Sequence, residues 1–153
     1  MGVEERLKEL GLEIPSPPRP IAAYVPGVVV GDLVFTSGQL PTCRGELIYK
    51  GKLGVDLDLE KGVACARQSV LNCLGVVKFL VGSLDRVERV VKMTGYIQSA
   101  EGFHEQPRVL NGASELLEEV FGEAGQHARA AIGVSSLPLN APCEIELIVQ
   151  IKS

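Results

Sequence analysis

Apolar residues recur every three or four positions in two long stretches of the chain, and this spacing predicts two amphipathic helices. We expect the first helix over residues 58–81 and the second over residues 104–121, each ended by a glycine, Gly82 and Gly122. A short helix is expected over residues 3–10. A cluster of prolines ends this helix and predicts an extended segment on the surface. These prolines are Pro15, Pro17, Pro18 and Pro20.

Runs of β-branched residues predict strands in the rest of the chain. A hairpin is expected over residues 28–36, with Gly31-Asp32 as a two-residue turn of type II′. Further strands are expected over residues 46–49, 90–98, 129–134 and 144–152. In the last of these, apolar and polar residues alternate, which is typical of a strand with one buried face. Ile148 interrupts the polar face, which indicates that this face is also partly covered.

The predicted order is β-β-(β)-α-β-α-β-β, which favours an α+β fold in which two long helices cover one face of a mixed sheet. The other face would then expose aliphatic side chains, and a monomer rarely exposes much of such surface. We therefore expect a homo-oligomer. Residues 1–20 are expected to form an N-terminal appendage, and residues 21–153 the domain itself.

Composition and charge narrow the classes of function. The chain has 153 residues, of which 46% are hydrophobic and 22% charged, as in an ordinary globular domain. The formal net charge of −4 and the absence of tryptophan disfavour a nucleic acid as the main partner. We see no apolar run near the roughly 18 residues of a membrane span and no secretory signal, so a cytoplasmic protein without membrane contact is expected.

Metal and nucleotide sites have little support in the sequence. The four cysteines lack the Cys-x-x-Cys spacing of zinc sites and are expected to be buried in a reducing compartment. The two histidines, His104 and His127, are isolated from other ligands in the sequence. Glycine-rich phosphate-binding loops are absent, and neither histidine is placed as a base for a serine nucleophile. No metal site is therefore expected.

Arg129 begins a strand that otherwise carries small and aliphatic residues, and a buried guanidinium requires an anion. Ala131 and Gly133 share its face of the strand and leave space beside it, as the floor of a pocket would. We expect the strands of Arg129 and Glu144 to be neighbours in a C-terminal hairpin. Two interpretations stay open: Arg129 pairs with Glu144 or Glu146 of its own chain, or it binds the carboxylate of a small molecule.

Two other features could take part in chemistry. A carboxylate such as Glu144 near a buried arginine can orient water or move a proton, although an exposed charge or an ion pair fits the spacing as well. Ser37 offers a hydroxyl group at a strand end, and Gly38 permits close approach of the backbone to a ligand. An ordinary turn explains the same residues.

Four segments together resemble the motifs of one family. They are Ile21–Gly27, Val34–Pro41 with its Ser37-Gly38-Gln39, Ala66–Asn72 with its Gln68 and Asn72, and Ala128–Pro138 followed by Cys143–Glu146. In this order the chain resembles the RidA (YjgF) family of enamine/imine deaminases, also labelled in places as perchloric-acid-soluble endoribonucleases. The likeness covers residues 21–152, and the fourth segment is the most specific.

The resemblance implies a chorismate-mutase-like α+β fold and a homotrimer with its sites in the clefts between subunits. It implies that Arg129 binds the carboxylate of a 2-imino acid. Glu144 would hold the water that attacks the imine carbon, so that ammonia leaves and a 2-keto acid forms. It implies no cofactor. The positions that would line the cleft are Tyr24, Ser37, Gly38 and Asn111. The alternatives are an endoribonuclease or translation-inhibitor-like protein and a trimer that binds small carboxylates without turnover.

Three features depart from the family's pattern. Ala131 stands where many deaminating members have a cysteine, and Gly133 where those members often have a glutamate. The N-terminal appendage is also longer. These departures indicate a divergent subgroup with a wider pocket, in which Ala131 contacts the substrate.

Overall fold

The structure, a computed structural model, describes residues 1–18 and 23–153. Pro20 of the predicted proline segment and Ile21-Ala22 of the first family motif lie outside the described residues. The helices and strands are α1 (Val3–Glu9), β1 (Gly27–Val30), β2 (Leu33–Thr36), β3 (Thr42–Cys43), β4 (Glu46–Leu47), α2 (Leu59–Val81), β5 (Val87–Gln98), α3 (Gln106–Phe121), β6 (Ala128–Val134) and β7 (Cys143–Ile151).

Five strands form one mixed sheet in the order β1-β2-β7-β5-β6, in which β5 and β6 are parallel and the other neighbours antiparallel. The expected hairpin of the Arg129 and Glu144 strands is therefore wrong, because β5 lies between β6 and β7. The connection through α3 makes β5-α3-β6 a crossover unit that places β6 beside β5 at the sheet edge. β7 then pairs with the remaining side of β5.

The two long helices cover one face of this sheet, as predicted. Asp58 caps α2, where its carboxylate accepts a hydrogen bond from the backbone N–H of Lys61 at 3.0 Å, and Gly82 follows the last turn. The core between helices and sheet contains fully buried residues from each layer, including Leu74, Met93, Leu117 and Leu147. The α+β fold with a mixed sheet is confirmed.

The N-terminal helix packs against this same body. Leu7 is buried in the shared core, and Glu4 forms an ion pair with Lys78 of α2 at 3.1 Å. Downstream, the carbonyl of Pro15 lies so close to Gly75 of α2 that a side chain there would collide with it. Residues 1–18 are thus described in contact with the helix layer, and the division of the chain at residue 20 stays a prediction.

The predicted hairpin over residues 28–36 is confirmed, with Gly31 at a φ of +62° as its turn requires. The predicted strand over residues 46–49 is shorter. It forms β4, which pairs with β3 in a separate two-stranded sheet rather than with the main one.

By length and mean hydropathy alone, α2 could cross a membrane, although no membrane span was expected from the sequence. It is the one helix of the described residues that meets this test, and 61% of its apolar window is buried inside the fold. Such burial is typical of the core helix of a globular domain.

The helix-free face of the sheet carries apolar side chains in neighbouring strands. The register aligns Val28, Phe35 and Ile148 across three strands on this face, and Ile132 lies farther along it on β6. Val28 and Ile132 are 47% and 41% exposed in the single chain. This is the exposed aliphatic surface that the sequence predicted.

Three of the cysteines are buried as expected: Cys65, Cys73 and Cys143. Burial raises the pKa of Cys65 and of Cys143 to about 12, so both thiols stay protonated at neutral pH. Cys43 is exposed, and its predicted burial is wrong, because β3 lies on the small second sheet outside the core.

Candidate functional site

Arg129 points toward the helix layer. The sheet register places it opposite Met93 of β5, which is in turn opposite Leu147 of β7, and both of these side chains face the helices. Its Nη1 atom donates hydrogen bonds to Oδ1 of Asn111 at 2.8 Å and to Oγ of Ser114 at 3.2 Å, both on α3. Among the described residues it forms no ion pair, so the interpretation that it pairs with Glu144 or Glu146 of its own chain is wrong.

The remaining nitrogens of Arg129 define what this side chain can bind. Within residues 1–18 and 23–153, neither Nε nor Nη2 donates to a protein acceptor. These two nitrogens form the edge of the guanidinium that can donate two parallel hydrogen bonds to a carboxylate. The side chain is only partly buried, so an anion can reach this edge.

Two further residues extend this group, and neither was expected from the sequence to take part in the site. Oγ of Ser114 lies 2.9 Å from Nε2 of His127, and Nδ1 of His127 lies 2.6 Å from the carbonyl oxygen of Gly125. We call Arg129, Asn111, Ser114 and His127 the arginine half-site. A signal existed for Ser114, because it follows Asn111 by three positions and therefore shares its helix face.

The residues expected to form an open pocket floor beside Arg129 are Ala131 and Gly133, and the structure differs from this expectation. Ala131 is partly buried and packs against the core. A Cβ atom added to Gly133 would lie 2.7 Å from Nε2 of Gln106, whose side-chain amide also donates to the carbonyl of Phe103 at 2.8 Å. The expected open space beside Gly133 is therefore wrong, because the Gln106 amide occupies it.

Glu144 belongs to a second group of predicted site residues, in which its side chain lies against Gly38. A Cβ atom at Gly38 would lie only 2.0 Å from Oε2 of Glu144, so the carboxylate occupies the space that a side chain at position 38 would fill. The Ser37 hydroxyl donates to the carbonyl oxygen of Val25 at 2.6 Å. This bond holds Val25, and with it the adjacent Tyr24, beside Gly38 and Glu144. The Tyr24 side chain is 60% exposed. We call Glu144, Gly38, Ser37 and Tyr24 the glutamate half-site.

The carboxyl group of Glu144 has an altered acidity. Burial, and then the nearby negative charge of Glu146, raise its pKa above the usual value for glutamate. Tyr96 lies directly across from Glu144 in the register with β5, and its hydroxyl donates to Oε1 of Glu146 at 3.1 Å. A half-buried carboxyl group with a raised pKa is suited to accept and return a proton.

Gln68 and Asn72 of α2 form hydrogen bonds that stabilise the segment next to the glutamate half-site. Nδ2 of Asn72 donates to the carbonyl oxygens of Leu40 and Thr42, both at 2.9 Å, and Gln68 Nε2 donates to Asn72 Oδ1 at 3.2 Å. These bonds fix the segment that directly follows Ser37-Gly38. The motif is structural in this chain.

The two half-sites do not meet within one chain. Glu144 lies three positions from Leu147, and because side chains alternate along a strand, it points to the helix-free face while Arg129 points to the helices. Their Cα atoms lie ~14 Å apart, because two strand spacings across the sheet and three residue steps along it separate them. A single chain therefore cannot bring both side chains to one small ligand.

A surface cavity of about 600 Å³ lies away from both half-sites. It is an open, mostly polar groove at one end of the sheet, lined among others by Asp32, Glu88, Arg89, Glu123 and Lys152. No group of three or more potential metal ligands occurs among the described residues.

Comparison with known proteins shows which family has this architecture. The model of the family described as "YjgF/chorismate_mutase-like, putative endoribonuclease" matches residues 4–151. The chain belongs to the YjgF/RidA family. The suspected family membership and the chorismate-mutase-like fold are thereby confirmed.

Relatives within the YjgF/RidA family carry different names. Protein TCP17 of Trypanosoma cruzi is 39% identical, and the match covers 99% of this chain and 95% of that protein. A 2-iminobutanoate/2-iminopropanoate deaminase of Dermatophagoides farinae is 30% identical over 92% of this chain and 95% of its own length.

Solved structures of the family differ in how much of the chain they match. Atu1372 of Agrobacterium tumefaciens, whose function is given as unknown, superposes with a TM-score of 0.91 and 44% identity over 98% of this chain and 92% of its own. E. coli TdcF with bound serine gives a TM-score of 0.64 and 29% identity over 90% of this chain and 94% of its own. The near-complete match to Atu1372 includes the N-terminal segment.

Proposed function

We propose that this protein is an imine/enamine deaminase that hydrolyses 2-imino acids to 2-keto acids and ammonia. The observation that carries the proposal is the guanidinium of Arg129, which α3 holds through Nη1 while Nε and Nη2 meet no acceptor among the described residues. This edge fits the carboxylate that every 2-imino acid carries. The deaminase name of the Dermatophagoides farinae relative agrees with this reaction.

The reaction needs a positioned water and a group that moves protons. Water adds to the imine carbon, and its proton passes to Glu144. With the imine nitrogen protonated, this addition leaves a carbinolamine, and Glu144 returns the same proton to its nitrogen. The C–N bond then breaks and ammonia leaves, while the hydroxyl hydrogen of the carbinolamine passes to the Glu144 carboxylate as the carbonyl forms. The raised pKa of Glu144 makes its carboxylate a stronger base for the first step and suits this exchange. Since imines hydrolyse readily, orientation of water and substrate suffices, and we expect no cofactor.

The complete site requires two copies of the chain. Arg129 and Glu144 lie on opposite faces of one sheet, so the arginine half-site of one subunit must meet the glutamate half-site of another. The apolar helix-free face, with Val28 and Ile132 exposed in the single chain, supports an interface there. We propose the homotrimer that the family resemblance implies, with Tyr24, Ser37, Gly38, Asn111 and Ala131 lining each cleft.

The test is the release of keto acid and ammonia from imines that an amino-acid oxidase forms in situ. The wild-type protein should accelerate both, and Arg129→Ala should lower kcat/KM by about 100-fold or more, since two charge-assisted hydrogen bonds are lost. Arg67→Ala, which removes an exposed arginine paired with Glu119 on the helix layer, is the matched control and should keep full activity. No acceleration with any imino acid, or full activity of Arg129→Ala, contradicts the proposal.

Two alternatives give different results in the same preparations. A protein that only binds carboxylates is favoured by the arginine half-site taken alone, and it would bind a keto acid without accelerating any imine hydrolysis. An endoribonuclease is favoured by the family's name, against a formal net charge of −4. RNA cleavage that follows the wild-type protein through purification and is absent from the Arg129→Ala preparation would support it.

A further inference from the structure

A continuous chain of hydrogen bonds leads from Arg129 into the fold. Nη1 of Arg129 lies 3.2 Å from Oγ of Ser114, Oγ lies 2.9 Å from Nε2 of His127, and Nδ1 lies 2.6 Å from the Gly125 carbonyl oxygen. Gly125 itself is buried, and its backbone approaches the backbone of α3 so closely that an added Cβ would lie 2.2 Å from the carbonyl oxygen of Leu117. The far end of the chain is therefore held in place by backbone packing.

The two ends of this chain restrict the donor and acceptor roles along it. A carbonyl oxygen can only accept, so Nδ1 of His127 carries a proton. A guanidinium can only donate, so Arg129 uses a lone pair of Ser114 Oγ, and the Ser114 hydroxyl hydrogen can donate to an unprotonated Nε2. The neutral ring protonated on Nδ1 satisfies every contact, and the hydrogen bonds then run in one direction from arginine to serine to histidine to carbonyl.

We propose that Ser114 and His127 are positioning residues that hold the guanidinium of Arg129 in the orientation in which it binds the substrate carboxylate. The inference rests on the proposed function and deepens it. Asn111 and Ser114 together accept both hydrogens of Nη1, which fixes the plane of the guanidinium and directs Nε and Nη2 away from α3. His127 acts through Ser114. Its Nε2 accepts the hydrogen of the Ser114 hydroxyl and so directs that hydrogen away from Arg129, which leaves a lone pair of Ser114 Oγ for Nη1.

This role predicts a specific pattern in kinetics. Ser114→Ala should raise KM about tenfold and change kcat less than twofold, because a hydrogen bond that positions a charged group is lost while Glu144 is untouched. Ser114→Thr keeps the hydroxyl group and should restore KM to within about twofold of the wild-type value. Alanine is favourable in a helix, so the Ser114→Ala protein should fold, which thermal unfolding checks.

A double-mutant cycle separates a role through Ser114 from an independent one. His127→Phe keeps a ring but neither hydrogen bond, and it should raise KM about threefold in the wild-type background. In the Ser114→Ala background the same replacement should change KM by less than about 1.5-fold, because its partner is already missing. Equal effects in both backgrounds, or an unchanged KM in Ser114→Ala, overturn the inference.

A spectroscopic measurement decides the inference without turnover. Long-range ¹H–¹⁵N correlation should show that the neutral His127 ring carries its proton on Nδ1 and not on Nε2, and Ser114→Ala should speed rotation of the Arg129 guanidinium about its Cζ–Nε bond. A ring protonated on Nε2 alone, or an unchanged rotation rate, overturns the inference. If the wild-type protein hydrolyses no imine and binds no keto acid such as 2-oxobutanoate, the proposed function fails, and these spectra still judge the positioning role.

Discussion

Replacing Gly38 with alanine places a methyl group where the carboxylate of Glu144 lies. The added Cβ would be 2.0 Å from Oε2, 2.8 Å from Cδ and 3.0 Å from Cγ of Glu144. Because non-bonded heavy atoms pack at about 3.5 Å, the carboxylate oxygen must retreat by about 1.5 Å. The far end of a side chain can make this movement without a change in the backbone.

The size of the effect on activity follows from this displacement. A misplacement of about 1 Å in a catalytic group can lower a rate by about 100-fold, so kcat of Gly38→Ala should fall between about 10- and 100-fold. KM should stay nearly constant, since the arginine half-site on β6 and α3 is not touched. The displaced rotamer costs about 0.5–1.5 kcal/mol, so the melting temperature should fall by only a few degrees.

Steady-state imine hydrolysis provides the assay, and Gly2→Ala provides a matched control. At Gly2 the added Cβ would likewise approach a carboxylate, that of Asp85 at 2.8 Å, but on the N-terminal segment outside both half-sites. Gly2→Ala should leave kcat unchanged, and Gly38→Ala should cause no further loss in a Glu144→Gln background. An unchanged kcat in Gly38→Ala, or a loss expressed only in KM, would refute the reasoning about the Glu144 carboxylate.

Two further replacements test the electrostatics and the internal hydrogen bonds. The raised pKa of Glu144 means that the folded state holds this proton more tightly than the unfolded chain, so its contribution to stability is present at low pH and is lost as the pH rises through the folded pKa. Glu144→Gln should therefore be inactive yet melt at a higher temperature than the wild-type protein near neutral pH, with the difference vanishing near about pH 4; a lower melting temperature at neutral pH would oppose the assigned cause. Gln98, 1% exposed, donates to the Gly51 carbonyl at 3.0 Å and accepts from the Leu137 N–H at 2.7 Å. Gln98→Leu should cost about 3 kcal/mol, or about 10 °C in melting temperature, because buried polar groups lose their partners; calorimetry showing a loss below about 1 kcal/mol would count against this.

The helices and strands could be predicted from the sequence because each is determined by local periodicity. Helix α2 follows from its apolar spacing, the Asp58 cap and Gly82, and β7 follows from strict alternation. The order of strands in the sheet could not be predicted in this way. β7 enters between β2 and β5, a pairing between segments distant in the chain, and so the expected neighbourhood of Arg129 and Glu144 was wrong.

The candidate site was predicted only in part for the same reason. The resemblance named Arg129 and Asn111, which the structure brings within hydrogen-bonding distance, and Gly38 and Glu144, which it brings into contact. It did not name Ser114 or His127. Ser114 shares a helix face with Asn111, but the connection of His127 to Arg129 depends on how α3 packs beside β6. The filling of the space at Gly133 by Gln106 likewise depends on packing rather than on local pattern.

The most direct test of a site shared between subunits is complementation of two inactive variants. Arg129→Ala and Glu144→Gln chains carrying different affinity tags are co-expressed, and the mixed oligomers are isolated through both tags. In a mixed cyclic trimer, one of the three clefts combines an intact Arg129 from one chain with an intact Glu144 from its neighbour. The account predicts that mixed trimers recover about one third of the wild-type imine hydrolysis while each variant alone is inactive. Mixed oligomers no more active than the separate variants would contradict it.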